Sequence, residues 1–173
     1  EFATMCDDKS LYIAIKTTDD IVMNRSKEKP PIAHAQDGVE IHLNILDDYG
    51  IPKEGGMGDG LPVPIYGPDD FQFIFDSYGG VYEWDSPRNA LRISKAKGSR
   101  AAVRNTDKGY DMEIAIPWSA VFLKPVPGYT IGFTISVNDT DHKKGQYGVQ
   151  ITYRGRQVCE NTEGWGRLEL GGK

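Results

Sequence analysis

Short runs of alternating apolar and polar residues occupy most of the chain, and turn residues separate them. Because successive side chains of a β-strand point to opposite faces of a sheet, this alternation predicts strands that bury one face. It is clearest in residues 11–15, 39–45, 71–75, 110–116, 131–137 and 147–153. It is weaker in residues 2–6, 81–84, 101–106 and 165–170. About ten strands of this kind predict an all-β fold, a two-sheet antiparallel β-sandwich of immunoglobulin or jelly-roll type.

Helix is expected to be a minor component, because no stretch sustains a 3.6-residue apolar repeat. The best candidate is one turn over residues 117–121, where Pro117 suits a first helical position. Residues 46–70 are rich in glycine and proline and lack periodicity, which predicts a long surface loop between two strands. Residues 24–36 form a second irregular stretch.

Length and composition fit one compact domain over residues 1–173, with 39% hydrophobic and 26% charged residues. No apolar run approaches the roughly 18 residues that a membrane span requires. A net charge of −5 argues against a nucleic-acid partner, which calls for a surplus of positive charge. With only Cys6 and Cys159, two free thiols are expected, and a bridge between them is the alternative. The chain opens inside a predicted strand, so we expect part of the native protein to lie upstream.

Catalytic constellations are hard to find in this sequence. None of the three histidines, His34, His42 and His142, lies in a recognisable nucleophile context, so chemistry of the Ser-His-acid type is not expected. Four carboxylates fall on polar strand faces: Glu40, Asp76, Glu83 and Glu113. A pair of them could cleave a glycosidic bond, so glycoside hydrolysis stays open as a hypothesis. The simpler interpretation is that they belong to a solvated sheet face. We therefore expect a protein that is not an enzyme.

Oxygen-bearing side chains are concentrated in residues 138–141, Asn-Asp-Thr-Asp. Calcium prefers oxygen ligands, so Asp139 and Asp141 are candidate ligands of a structural calcium ion. No stretch matches the twelve-residue calcium loop with its terminal glutamate, which leaves turn-forming aspartates as the alternative. No other cofactor is expected.

Tyr82 and Trp84 fall on the same face of one predicted strand. An aromatic ring can stack on the C–H face of a sugar while neighbouring polar groups bind its hydroxyls. Packing in the core explains the pair equally well, and both interpretations stay open here. Trp118 and Trp165 fit structural roles better.

Residues 109–118, Gly-Tyr-Asp-Met-Glu-Ile-Ala-Ile-Pro-Trp, and the stretch 124–139 that follows resemble carbohydrate-binding module family 9. The same order of elements continues through residues 8–12, 19–20, 36–43 and 165–170, so the resemblance covers nearly the whole chain. It implies a β-sandwich that binds sugar without catalysis, attached to a catalytic domain in a secreted, glycan-degrading enzyme. It also implies structural calcium, and the family's usual N-terminal strand is absent here.

The sequence departs from this family at the two tryptophans that clamp the sugar, whose positions are held by His34 and Cys159. Each aromatic stack contributes roughly 0.5–1.5 kcal/mol beyond area burial, so a different ligand or a different mode of binding is expected. The resemblance implies that Gln36, Glu40 and Asp76 bond to the hydroxyls of an oligo- or polysaccharide such as xylan or cellulose, with His34 as a smaller stacking plate. We further expect Tyr82 and Trp84 to replace the lost aromatic platform, and Arg154 or Arg156 to add directional donors.

The sequence leaves two alternatives to sugar binding open. Related sandwiches hold haem between a methionine and a histidine or lysine, and four methionines are available: Met5, Met23, Met57 and Met112. The other alternative is a structural module that packs against a catalytic neighbour and has lost sugar binding.

Overall fold

In the computed structural model the chain is almost entirely β-structure, as the alternation predicts. The structure describes residues 1–23, 36–46, 51–53, 63–65, 69–85, 90–92, 98–141, 148–154, 162 and 164–171. In chain order the strands are β1 Phe2–Cys6, β2 Ser10–Thr18, β3 Gly38–Asn44, β4 Ile51–Lys53, β5 Val63–Ile65, β6 Asp70–Asp76, β7 Val81–Asp85, β8 Ala90–Arg92, β9 Arg100–Thr106, β10 Gly109–Pro117, β11 Thr130–Asp139, β12 Val149–Thr152 and β13 Gly166–Glu169.

Two antiparallel sheets form the sandwich. The shorter sheet has the order β1-β2-β10-β9, and the longer sheet has the order β12-β11-β3-β6-β7-β8. Strand β13 pairs with the first half of β11, beside β12, and β4 pairs with β5 in a separate two-stranded ladder. The two-sheet antiparallel sandwich predicted from the sequence is therefore confirmed.

The core lies between the two sheets and is built from the apolar positions of the alternating runs. Ile13 and Ile15 of β2 and Met112 of β10 face inward from the shorter sheet, and each is at most 5% exposed. Ile41 of β3 and Phe73 of β6 are fully buried on the facing side of the longer sheet. Strands β2, β3, β6, β10 and β11 thus contribute alternate residues to one continuous core.

One short 3₁₀ turn, Trp118–Val121, closes the end of β10. Pro117 precedes this turn in an extended conformation, so it caps the turn instead of occupying its first helical position. The indole N–H of Trp118 donates to the backbone carbonyl of Asp7 at 2.9 Å, which ties the turn to the loop between β1 and β2. Trp118 is 2% exposed, as expected of a core residue.

The structure corrects the sequence-based prediction at three places. Residues 46–70 contain the short strands β4 and β5, where a loop without strands was expected. Strand β8 was not predicted, and β12 is described only over Val149–Thr152, shorter than residues 147–153. Three-residue strands are too short to show alternation, which is why the sequence does not reveal them.

Cys6 is a free thiol that packs partly against the core, and Cys159 lies outside the described residues. Within the ranges given above, no helix has the length and apolar character needed to cross a membrane.

Candidate functional site

The second face of the longer sheet is also buried, although its residues are polar. Strands β3 and β6 are buried at every position, including the alternate residues that face away from the core. We call this surface the polar face: it comprises Glu40, His42, Asn44, Gln72, Asp76, Thr134, Ser136, Asn138, Gln150 and Thr152. A sheet with a solvated outer face exposes such residues, so the burial of all of them except Gln150 and Thr152, which lie on the end strand β12, marks this face as unusual.

Glu40, at the middle of β3, is the centre of a hydrogen-bond network on the polar face. It is 1% exposed. The amide of Asn138 donates to its Oε1 at 2.7 Å, and the amide of Gln72 donates to its Oε2 at 2.8 Å. The Nε2 of His42 lies 3.4 Å from the same Oε2. Neighbouring strands on both sides of β3 therefore supply partners for one buried carboxylate.

The environment of Glu40 favours its ionised form. Burial alone would raise the pKa of this carboxyl group. Hydrogen bonding and electrostatic attraction from His42, with the donors Asn138 and Gln72, outweigh burial and hold the pKa below its ordinary value. Glu40 is thus a carboxylate that accepts hydrogen bonds and holds its neighbours in place.

The network reaches the surface through β12. The exposed Gln150 donates to Oδ1 of Asn138 at 3.0 Å, so a chain of side chains runs from Gln150 to Glu40. Beside it, the hydroxyls of Ser136 and Thr152 lie 3.1 Å apart. Gln150 and Thr152 are the ends of the network that solvent reaches.

A second network occupies the end of the polar face near the turn between β6 and β7. Oδ1 of Asp76 accepts backbone N–H groups from Tyr78 at 2.9 Å and Gly80 at 2.7 Å. Oδ2 of Asp76 accepts the hydroxyl of Tyr82 at 3.0 Å, and Gln36 also bonds to that hydroxyl. Burial, followed by the charge of Asp76, raises the pKa of Tyr82 to about 12. These residues hold the β6–β7 turn in one shape.

Trp165 lies at the edge of the polar face, immediately before β13. Its ring centroid is 5.5 Å from that of His42, the planes are tilted by 59°, and the indole is half-buried. Nearby, the backbone of Arg154 exchanges hydrogen bonds with the Thr134 hydroxyl at 2.7 and 3.3 Å. An aromatic ring therefore stands beside the Glu40 network.

The structure brings together most of the described residues that the sequence pointed to. Gln36, Glu40, Asp76 and Tyr82 all lie on or beside the polar face, where each is at most 7% exposed. Arg154 is exposed, with its guanidinium 5.7 Å from the Tyr153 ring centroid. The backbone of Trp84 pairs with Gln72, which places it on the same strand face as Tyr82. His34 and Arg156 lie outside the described residues.

Five residues were not assigned to the site from the sequence. Gln72 and Gln150 carry no motif, and Asn138 was noted only beside the candidate calcium ligands. For all three, only the alternation with core residues indicates that they face away from the core. Trp165 was expected to have a structural role, and the structure places its ring against His42 at the edge of the polar face, a position that the sequence did not indicate. His42 was noted in the sequence only as lacking a nucleophile context, and in the structure it is fully buried on the polar face.

An acidic cluster lies at the end of β2 and β11. Carboxylate oxygens of Asp19, Asp139 and Asp141 come within 4.8 Å of one another. Burial, followed by the charges of Asp141, Asp19 and Asp20, raises the pKa of Asp139. Asp37 lies close by and accepts the backbone N–H of Thr140 at 2.7 Å. The sequence pointed to Asp139 and Asp141, and Asp19 joins them only in the fold.

Comparison with known proteins identifies the class to which this sandwich belongs. The family model described as "Carbohydrate family 9 binding domain-like" matches residues 58–173. The chain therefore belongs to the family 9 carbohydrate-binding domains. The family resemblance found in the sequence and the prediction of a non-catalytic, sugar-binding module are both confirmed.

Curated relatives match over nearly the whole chain. The exoglucanase XynX of Acetivibrio thermocellus is 29% identical over 171 residues, which cover 98% of this chain and 13% of that protein. The endo-1,4-beta-xylanase A of Thermoanaerobacterium saccharolyticum is 28% identical over 171 residues, which cover 98% of this chain and 12% of that protein. The chain thus spans about an eighth of the length of these relatives.

Solved structures share the fold. A family 9 carbohydrate-binding module from Caldicellulosiruptor kristjanssonii, solved with glucose, superposes with a TM-score of 0.73 at 22% identity, covering 99% of this chain and 76% of that one. A complex with cellotriose from the same organism gives a TM-score of 0.73 at 21% identity, covering 99% of this chain and 74% of that one.

The environment of Met112 gives no support to the haem alternative. Met112 is 1% exposed in the middle of the core, where its sulfur packs among apolar side chains.

Proposed function

We propose that this domain binds a polysaccharide of the xylan or cellulose class along the polar face. The observation that carries the proposal is the position of the Trp165 ring, 5.5 Å from His42 at the margin of the Glu40 network. An aromatic plate beside directional polar groups is what a sugar ring requires, because its C–H face is apolar and its edge carries hydroxyls. The names of the xylanase and exoglucanase relatives and the glucose and cellotriose complexes support this ligand class.

In this proposal the surface residues contact the sugar and the buried residues position them. Trp165 stacks on a sugar ring, and Gln150, Thr152 and Arg154 bond to hydroxyls. Glu40 holds Asn138, and through it Gln150, in a fixed orientation. His34, Trp84 and Arg156 remain predicted contacts.

Residues of the second network have a supporting role in the same proposal. Asp76, Tyr82 and Gln36 fix one end of the polar face through their shared hydrogen bonds. Because the polar groups are already held by one another, binding has little side-chain freedom to remove, which favours affinity.

The domain is further proposed to be one part of a longer, secreted, glycan-degrading enzyme. The short fraction of each relative that the chain covers supports this arrangement. Binding the polysaccharide would keep a linked catalytic domain at a high effective concentration near its substrate.

Trp165→Ala is expected to weaken glycan binding roughly ten- to a hundredfold, because it removes one aromatic stack together with the apolar area that the stack buries. Isothermal titration calorimetry with xylo-oligosaccharides and cello-oligosaccharides measures the change. Phe122→Ala is the matched control, since Phe122 is an aromatic residue 77% exposed in the 3₁₀ turn region, outside the polar face.

Two results would contradict the proposal. Unchanged affinity in Trp165→Ala would exclude Trp165 as the stacking plate. No heat with xylo-, cello- or manno-oligosaccharides at millimolar concentration would argue against glycan binding itself.

The acidic cluster is proposed to hold a structural calcium ion. Its donor set fits calcium, since three carboxylate groups converge from the residue after β2, the last residue of β11 and the second residue after β11. Burial and the neighbouring aspartates raise the pKa of Asp139, so a cation would relieve this repulsion. An ion bound by Asp19, Asp139 and Asp141 would link the ends of β2 and β11, which belong to different sheets.

Calcium is expected to raise the melting temperature of the domain, and a chelator is expected to lower it. A ligand at 100 times its dissociation constant stabilises the folded state by about 2.7 kcal/mol. For a domain of this size that corresponds to roughly 5–10 °C. Differential scanning calorimetry in calcium and in EDTA measures the shift.

The shift should be absent in Asp139→Asn and retained in Asp107→Asn, an exposed turn aspartate outside the cluster. Equal melting temperatures in calcium and EDTA for the wild-type domain would exclude a calcium ion at these aspartates.

A further inference from the structure

Two strand edges that lie side by side in the sandwich carry no charged side chain. Strand β1 ends the shorter sheet, and β12 lies at one end of the longer sheet. The ring of Phe2 in β1 lies 5.0 Å from the ring of Tyr153, the residue after β12, so the two edges meet. We call residues 2–6 together with Val149, Ile151 and Tyr153 the uncharged rim.

Among the residues that the structure describes, no strand pairs with the outer edge of β1, which leaves a row of its backbone hydrogen-bonding groups open at this rim. Glu1 and Lys16 exchange both of their backbone hydrogen bonds, at 2.9 and 3.0 Å. In an antiparallel pair such contacts occur at every second residue, so Ala3 and Met5 also face β2. The N–H and C=O groups of Phe2, Thr4 and Cys6 therefore point away from the sheet. Such a row is a template for another strand.

Apolar side chains are exposed along the same rim. Val149 and Ile151 are each 63% exposed, and Tyr153 is 53% exposed. In β1, Met5 is 68% exposed and Phe2 is 37% exposed. By register, Val149 and Ile151 lie opposite Asp139 and Val137, on the side of β12 that faces the other sheet. They continue the apolar layer of the sandwich beyond the area that the shorter sheet covers.

The opposite edge of the shorter sheet is built differently. Strand β9 ends that sheet and exposes Arg100 and Arg104. Charged side chains on an edge strand discourage pairing with another strand. One edge is thus protected by charge, while the uncharged rim combines a free strand edge with exposed apolar side chains.

We propose that the uncharged rim is the surface through which two copies of this chain associate. The rim is self-complementary: each copy supplies a free strand edge for the other and apolar side chains that cover the partner's exposed ones. A two-fold axis through β1 would join the two shorter sheets into one antiparallel sheet. Because each copy carries a net charge of −5, contact is favoured where the surface is uncharged.

The size of the rim suits such an interface. A stable interface needs about 800 Å² from each partner, less than a tenth of the 10331 Å² that the chain exposes. The proposed dimer would bury a strand edge of five residues together with five exposed apolar side chains.

The dimer would leave the glycan site free. Gln150 and Thr152 alternate with the rim residues of β12 and point to the polar face. A dimer therefore carries two polar faces, and an insoluble polysaccharide would be bound with greater avidity than by either copy alone. Dimerisation itself does not depend on the proposed glycan binding.

Analytical ultracentrifugation of the 173-residue chain over a range of concentrations tests this proposal. The expected mass rises from 19.2 kDa toward twice that value. Thr4→Pro removes an outward N–H without disturbing the pairing with β2, and Ile151→Lys places a charge at the rim. Each is expected to weaken dimerisation at least tenfold, whereas Ala102→Lys, on the exposed face of β9, should leave it unchanged.

Circular dichroism checks that each variant is folded. If Thr4→Pro unfolds, Ile151→Lys decides the outcome, because a surface substitution at Ile151 is expected to leave the fold intact. A wild-type chain that stays monomeric up to about 1 mM, where association would be weaker than about 4 kcal/mol, overturns the proposal. A dimer that persists unchanged in the folded rim variants also overturns it.

Discussion

Glu40→Ala is expected to lower the free energy of unfolding by about 3–5 kcal/mol, the usual cost of breaking a buried charged contact. The change leaves the amides of Asn138 and Gln72 without their acceptor in a region that water does not reach. It also leaves a cavity in the middle of the polar face. Urea or guanidinium unfolding followed by circular dichroism measures the loss.

Two matched variants identify the cause of that loss. Glu113→Ala removes an exposed glutamate from β10 and should change stability by less than about 0.5 kcal/mol. Glu40→Gln keeps the shape of the side chain and one acceptor oxygen. Its loss of unfolding free energy should therefore lie between the losses in Glu40→Ala and Glu113→Ala. If Glu40→Ala were as stable as Glu113→Ala, the network would not be a stabilising feature of the polar face.

The pH dependence follows from the same carboxylate. In the folded chain the pKa of Glu40 lies below its ordinary value of 4.5, because the hydrogen bonds it accepts outweigh burial. Its contribution to stability is therefore fully present above pH 4.5 and is lost as the pH falls through the lower folded value. The difference in unfolding free energy between the wild-type domain and Glu40→Gln should shrink progressively below pH 4.5.

Asp76→Ala is expected to lower the free energy of unfolding by roughly 3 kcal/mol, because buried donors lose a charged acceptor. The carboxylate accepts N–H groups from Tyr78 and Gly80 and the hydroxyl of Tyr82, and it is 1% exposed. Chemical denaturation measures the loss. Asp8→Ala, which removes an exposed turn aspartate, is the control and should have little effect.

Glycan titration of the same variants separates a positioning role from direct contact. If Asp76 only holds the β6–β7 turn, Asp76→Asn should bind glycan with nearly unchanged affinity at temperatures where it is folded. A large loss of affinity in Asp76→Asn, with little loss of stability, would instead place Asp76 against the sugar.

Some of the site could be predicted because strand alternation is a local property. Val39, Ile41 and Leu43 alternate with Glu40 and His42, which is enough to assign the two sets to opposite faces of β3. The family motif around Gln36 and Glu40 then indicated a binding function. Neither observation shows that the polar set is buried, because burial depends on what lies on each side of the strand.

Trp165 shows most clearly which contacts the sequence pattern does not predict. It immediately precedes β13, and its sequence context favours a structural role. Its contact with His42 joins residues 123 positions apart in the sequence (165 − 42), through pairing of both segments with β11. No local pattern records such a contact.

The sequence by itself determined that this chain forms antiparallel strands, which residues of each strand face the core, and which family it resembles, because a period of two residues and a short motif are readable without the fold. The tertiary structure alone decided that β3 lies between β11 and β6, and hence that Asn138 and Gln72 meet across Glu40. It also decided that Asp19 joins Asp139 and Asp141. The physical reason is that these contacts depend on the order of strands in a sheet, which is set by the packing of the whole core and not by any one segment.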